Sequence, residues 1–225
     1  MIKFKRVTKI FPNGFVALNE IDLAVAKDEF VYLVGASGAG KSTLLNLIYR
    51  ADLPTHGEIL IDNFALSAIQ EDQVPYLRRS IGVIFQDYKL LPRRTVYENI
   101  AFALRVMHFS RSKIRRQVSQ VLELVGLQDK MNSLPKELSG GEQQRICIAR
   151  AIVNNPPILL ADEPTGNLDP DTSWEIMQLL AKINVRNTTV VVATHNKEIV
   201  DAFRKRVIAL QKGKIIRDMP KGAYV

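Results

Sequence analysis

Apolar and polar positions along this chain change period repeatedly, and the changes divide it into short elements. From Ile2 to Val25 the pattern alternates, which predicts short antiparallel strands turned at Pro12, Asn13 and Gly14. Phe30 to Val34 is an unbroken apolar run that stops at Gly35. After a loop of small residues a helical pattern begins at Lys41, with Leu44, Leu45 and Ile48 on one face. Pro54 to Gly57 form a turn, Glu58 to Ile61 a short strand, and Ile81 to Phe85 a buried strand ending at Gln86. Between Asp87 and Leu138 prolines, arginines and helical periodicity take over: Ile114, Val118, Val121, Leu122 and Val125 share a face that Gly126 stops. A helical stretch from Gln144 to Val153 ends at Asn155, Pro156 and Pro157. Ile158 to Ala161 then reads as a strand buried on both faces of a parallel sheet. Ser173 to Ile183 is a helix with Trp174, Met177 and Leu180 facing inward, and Thr189 to Ala193 is another apolar strand. The remainder holds an amphipathic helix (Ile199, Val200, Phe203), the strand Val207 to Leu210, and a polar end with Lys212, Gly213 and Lys214. These elements predict an α/β core, with an antiparallel start and a helical insertion over 87–138.

Composition adds limits. At 225 residues the chain can bury one substantial core with room for a subdomain, and 47% apolar with 24% charged residues is the balance of an ordinary globular protein. No apolar run approaches the eighteen or so residues of a membrane span. The opening MIKFKRVTKIF has no uninterrupted apolar stretch, so no signal peptide is expected there. The single cysteine, Cys147, excludes an internal disulfide; beside Ile146 and Ile148 it reads as a small buried hydrophobe. The net charge of +8 raises nucleic acid or an anionic membrane surface as partners. The basic residues nevertheless form short groups (Arg78 and Arg79, Arg93 and Arg94, Arg111 to Arg116, Arg204 to Arg206), most of which read as solvated helix faces. His56 and His108 read as surface residues.

The candidate chemistry gathers at the ends of the apolar runs. Gly35, Ala36, Ser37, Gly38, Ala39, Gly40, Lys41 and Ser42 spell G-x-x-x-x-G-K-S between a strand and a helix. Glycines there let backbone N–H groups converge on an anion, and the following helix presents its positive end to the same point. Lys41 suits contact with the β- and γ-phosphates, and the Ser42 hydroxyl suits Mg²⁺. The chain is therefore expected to bind a nucleoside triphosphate. Phe11, beside the first turn, offers a face for a purine base. Ser139, Gly140 and Gly141, with Glu142 in the first turn that follows, form a second anion-binding loop or an ordinary helix cap. Asp162 and Glu163 close a buried strand at the edge where open α/β sheets bind ligands. Asp162 suits the magnesium hydration shell, and Glu163 suits a base acting on the water that attacks the γ-phosphate. His195, after another strand of that sheet, suits a γ-phosphate contact.

In order and spacing these motifs resemble the ATP-binding cassette ATPases over almost the whole chain: the P-loop, Gln86, LSGGEQQR, ILLADE, the loop ending in Asp169, and His195. The resemblance implies a P-loop NTPase with a RecA-like core and N-terminal antiparallel β subdomain over 1–86 and 139–225, and a helical subdomain over 87–138. It implies ATP and Mg²⁺ as cofactors, Phe11 as base-stacking aromatic where relatives usually carry tyrosine, and Gln86 as magnesium ligand and γ-phosphate sensor. It also places Thr43 and Asp169 among the nucleotide-binding positions, and Ser139, Gly140 and Gly141 against the nucleotide of a second copy. Two copies are thus expected to sandwich two ATP molecules. Residues 74–102 and CIARAIVNNPPILLADEPTGNLDPDTSWEIM are similar to the cell-division branch of the family, in its Gram-positive forms. That branch implies an FtsX-like integral membrane partner, control of peptidoglycan hydrolases, and a peripheral place on the cytoplasmic side of the membrane. A soluble cassette protein working on nucleic acid or ribosomes has only the charge of +8 in its favour, and such proteins usually carry two cassettes or long coiled-coil insertions, which this sequence lacks, so no nucleic-acid partner is expected. The lipoprotein-release and macrolide-export ATPases of the same branch are the alternative.

Overall fold

Alternation over the first residues produces the expected hairpin in the computed structural model, which describes residues 1–224. Strand β1 (Ile2–Ile10) pairs antiparallel with β2 (Val16–Val25) and with β4 (His56–Ile61), which carries the two-residue β5 (Phe64–Ala65). Ile2, Phe4 and Val7 turn inward while Lys3 and Lys5 face out, the period-two burial a one-sided sheet requires.

The unbroken apolar runs form a second sheet. Its strands are β3 (Phe30–Val34), β6 (Ile81–Ile84), β7 (Ile158–Asp162), β8 (Thr189–Ala193), β9 (Arg206–Gln211) and β10 (Lys214–Met219), in the order β10-β9-β3-β8-β7-β6. The inner neighbours are all parallel, and only β10 runs antiparallel to β9. Both faces are covered, so β3 and β8 are buried at every position. On one face Val31, Leu33 and Val191 pack with the first sheet and helix α1 (Lys41–Ile48). On the other, Phe30, Tyr32 and Val190 pack with α3 (Val96–Val106), α4 (Arg111–Val125), α5 (Gly140–Ile152), α6 (Pro170–Asn184) and α7 (Lys197–Phe203). A short helix α2 (Val74–Arg79) precedes β6.

Two details depart from the sequence reading. Trp174 does not face inward: Ser173, Ile176, Met177 and Leu180 take the buried side of α6, and Trp174 lies at its margin, 44% exposed. Its ring instead meets Phe203 of α7 at 4.8 Å between centroids. The polar end after Leu210 is a strand, because the turn at Lys212 and Gly213 folds β10 back on β9 as a charged edge that suits a sheet boundary.

Register decides where function can sit. Leu33 is level with Ala193, Asp162 with Ala193, and Ile84 with Ala161, so β3, β8, β7 and β6 end on one line. The P-loop, His195, the Asp162–Glu163 pair and Gln86 all leave the sheet along that edge, the side on which parallel α/β sheets take ligands.

Candidate functional site

The P-loop is held from behind by backbone geometry. Gly40 caps α1 with φ of 108°, and a Cβ there would lie 2.6 Å from the Ala17 carbonyl oxygen. At Gly35 a Cβ would lie 2.3 Å from the Leu210 carbonyl oxygen. The β9–β10 turn braces the same loop, since the Gly213 N–H donates to the Ala39 carbonyl at 3.1 Å. Lys41 is only 8% exposed; its Nζ donates to the carbonyls of Gly35 at 2.8 Å and Ala36 at 3.3 Å, and stands 3.7 Å from Glu163 Oε1. The lysine is thus folded back over the cradle.

Opposite it, Glu163 adopts a left-handed backbone with φ of 47°, a conformation costly for a residue with a Cβ. Its N–H donates to the Ala193 carbonyl at 2.9 Å, which locks the turn. Its Oε2 accepts from the His195 N–H at 3.3 Å and lies 2.9 Å from His195 Nδ1, while the imidazole remains 65% exposed. Asp162 is more enclosed. Burial raises its carboxyl pKa, the Ser42 hydroxyl donating to it works the other way, and Glu163 raises it further. Its Oδ1 is buried without a hydrogen-bond partner.

A cleft of about 580 Å³ opens over these groups. Ala36, Ser37, Gly38, Gly40, Lys41, Ser42, Thr43, Gln86, Glu163 and His195 line it, so the structure brings together most of the residues the sequence singled out. Gly35, Ala39 and Asp162 belong to the turns beneath. Phe15, Ala17 and Tyr224 also line the cleft and were not anticipated. Burial pushes the Tyr224 phenol up, Glu163 adds to that, and the Gly35 N–H opposes it. Phe11 does not line the cleft: its ring stacks on Phe15 at 6.5 Å and 13°, and of the two it is Phe15 that lines the cleft.

Ser139, Gly140, Gly141, Glu142 and Asp169 lie outside this cleft. Ser139 caps α5 through a reciprocal box, its Oγ accepting from the Glu142 N–H at 3.2 Å and its own N–H donating to Glu142 Oε2 at 2.8 Å. That bond from the Ser139 N–H holds the Glu142 carboxyl below its usual range. The N–H groups of Gly140 and Gly141 meet no acceptor among the described residues. Asp169 caps α6 and accepts from the Thr172 hydroxyl at 2.6 Å and the Thr172 N–H at 2.9 Å, which keep its carboxyl low. The two caps touch: a Cβ on Gly141 would lie 2.5 Å from Thr172 Cγ2.

The segment after Gln86 is fastened to α5. Tyr88 and Lys89 both have positive φ, at 58° and 46°, and the Arg150 guanidinium donates to their carbonyls at 2.7 and 2.6 Å. Buried Asn99 pins the next turn, its Oδ1 accepting from the Leu91 N–H at 2.7 Å. A larger hollow of about 750 Å³ between α4, the end of α5 and the end of α6 contains none of these groups.

Residues 18–166 match the ABC transporter family. The chain is 57% identical over 224 residues to the cell division ATP-binding protein FtsE of Bacillus subtilis (strain 168), covering 100% of this chain and 98% of that one. It is 55% identical over 224 residues to the FtsE of Streptococcus pneumoniae serotype 2 (strain D39), covering 100% and 97%. Among solved structures, the ATP-binding cassette MJ0796, a dimer in a post-hydrolysis state with ADP and Pi, superposes with a TM-score of 0.90 at 40% identity over the whole of both chains.

Proposed function

Since the chain belongs to the ABC transporter family of ATP-binding cassettes and is an ATPase, we propose that it powers a cell-division complex as the partner of an FtsX-like integral membrane protein, through which ATP turnover controls peptidoglycan hydrolases. One observation carries this reading: identity of 57% that runs the full length of a cell-division ATP-binding protein rather than stopping at the shared motifs.

In the working site Lys41 turns from the carbonyls of Gly35 and Ala36 to the β- and γ-phosphates, and the P-loop N–H groups with Thr43 hold the phosphate chain. The Phe11–Phe15 stack receives the base. Glu163 accepts the proton of the attacking water as its oxygen bonds to the γ-phosphorus; the bond from that phosphorus to the β-bridging oxygen breaks, and ADP and phosphate leave. His195, fixed by Glu163, donates to the γ-phosphate. The donor set fits magnesium. Among the described residues no cluster of three or more His, Cys, Asp or Glu exists to cage a metal, whereas Ser42, Gln86 and the unpartnered oxygen of Asp162 offer the one-carboxylate, oxygen-only set that Mg²⁺ shares with phosphates and water. Bound there, it would neutralise charge on the β- and γ-phosphates.

A second copy completes the site. The free N–H groups of Gly140 and Gly141, set outside their own cleft, suit the γ-phosphate of the other protomer, with Ser139 and Asp169 at the same junction. Among the described residues no helix is long and apolar enough to cross a membrane. A groove of about 650 Å³ beside the Gln86 segment, walled by Val83 and Phe85 on one side and Phe102 and Val106 on the other, suits a helix of the membrane partner. Affinity purification from membranes tests the assignment: an FtsX-like protein is expected to co-purify, and recovery of a substrate-carrying exporter in its place overturns it.

A further inference from the structure

Two hollows meet at Arg105 near the end of α3, and neither shares a residue with the nucleotide cleft. The first, about 760 Å³, is walled by Arg105, His108, Arg111 and Arg115 with Tyr97, Phe109 and Ile114, and no carboxylate. The second, about 540 Å³, adds Arg93 and Arg94 beside Leu91 and Phe102. Its one acid, Glu98, is already engaged, with Oε1 3.2 Å from Arg94 and Oε2 accepting the Thr95 N–H at 2.9 Å. Arg93, Arg105, Arg111 and Arg115 form no ion pair with any described residue.

Like charges held together without counter-ions weaken the fold, so this arrangement calls for an external anion. Guanidinium forks match phosphate oxygens. The apolar content narrows the choice: Leu91, 37% exposed, stands with Arg93 and Arg94 in the second hollow, and the half-buried rings of Tyr97 and Phe109 stand with Arg105, Arg111 and Arg115 in the first. Basic side chains interleaved with Leu91, Tyr97 and Phe109 make an interfacial surface, and two adjoining hollows suit an array of headgroups better than a single soluble ion. We propose that the α3–α4 face binds anionic phospholipid headgroups directly, without a membrane partner.

Flotation of the purified chain with vesicles tests this, comparing phosphatidylcholine alone with phosphatidylcholine and phosphatidylglycerol in equal parts. Binding is expected only to the second and is expected to fall as salt rises. The triple variant Arg105→Gln, Arg111→Gln, Arg115→Gln is expected to lose about a hundredfold in partition, at about fivefold per arginine. A variant removing the same charge elsewhere, Lys3→Gln, Lys27→Gln, Lys182→Gln, is expected to bind as the parent does, and both are expected to hydrolyse ATP at the parent rate. Equal losses in the two variants, equal binding to phosphatidylcholine, or no binding at low salt each overturn the proposal. Tighter binding to a DNA duplex, lost in the arginine variant alone, overturns it in favour of nucleic acid.

Discussion

Glu163 carries two costs at one position. Its backbone is left-handed, and its carboxylate, 11% exposed, is held between Lys41 and His195. A capping acid needs neither, whereas a base that must meet a water at a fixed point needs both its direction and its enclosure. Glu163→Gln keeps the backbone, the shape and an oxygen for the His195 N–H but cannot take a proton. Turnover is expected to fall by about two to four orders of magnitude while ATP is retained, read by single-turnover hydrolysis beside nucleotide filtration. Normal turnover in that variant removes Glu163 from the chemistry. Cys147 shows the opposite case. It is fully buried, its thiol donates to the Tyr88 carbonyl at 3.1 Å, and burial pushes its pKa up to about 12. Because the thiol is the protonated form below that value, alkylation of the native chain at pH 8 is expected to be negligible and to appear only with denaturant. Rapid native labelling would show that the helix opens far more readily than its packing implies.

At the scale of elements, the contact between the α5 and α6 caps explains a glycine that motif reading assigns to a ligand. Gly141 lacks a Cβ because Thr172 Cγ2 fills that space, and Thr172 is itself fixed by Asp169. Gly141→Ala is expected to destabilise by about 1–3 kcal/mol as an overpacked site. Adding Thr172→Ser removes the obstructing methyl, keeps the hydroxyl for Asp169 and should restore most of the loss in a urea unfolding cycle. A failure to rescue would trace the cost to the α5 N-terminus instead. The same contrast shows what sequence could reveal. Buried parallel strands are written as apolar runs, and the P-loop, Asp162, Glu163 and His195 each sit where such a run stops, so the site's floor was legible. Phe15, Tyr224 and the Gly213 brace were not, because they reach the cleft from a distant turn, the far end of the chain and an edge hairpin, and nothing local marks them. Trp174 misled for a related reason. Helical spacing put it near the buried stripe, but α7 supplied Phe203 at the margin, and a large ring packs there without entering the core.

For the whole molecule, the question is why one chain carries a complete phosphate cradle and a separate helix start where the N–H groups of Gly140 and Gly141 meet no acceptor among the described residues. Ser139, Gly140 and Gly141 line no part of the cradle's cleft, and Gly141 packs against the start of α6 rather than toward Lys41. Closing the two onto each other within one chain would break the α5–α6 contact, whereas under the proposed pairing a second copy would bring them together by symmetry at no such cost. The consequence is testable with two inactive proteins. Lys41→Ala destroys the cradle but leaves the cap, and Ser139→Arg blocks the cap but leaves the cradle. A mixed dimer then contains one site with both faults and one with neither. Random exchange of equal amounts makes half the dimers mixed, so if the sites turn over independently the mixture should regain about a quarter of the parent's ATPase rate. If both sites must fire together the recovery is smaller, but it still rises with the product of the two concentrations, which contamination by active enzyme would not do. A mixture no more active than its components, with exchange confirmed by fluorescence transfer between labelled copies, would place each cap and cradle in service of its own chain.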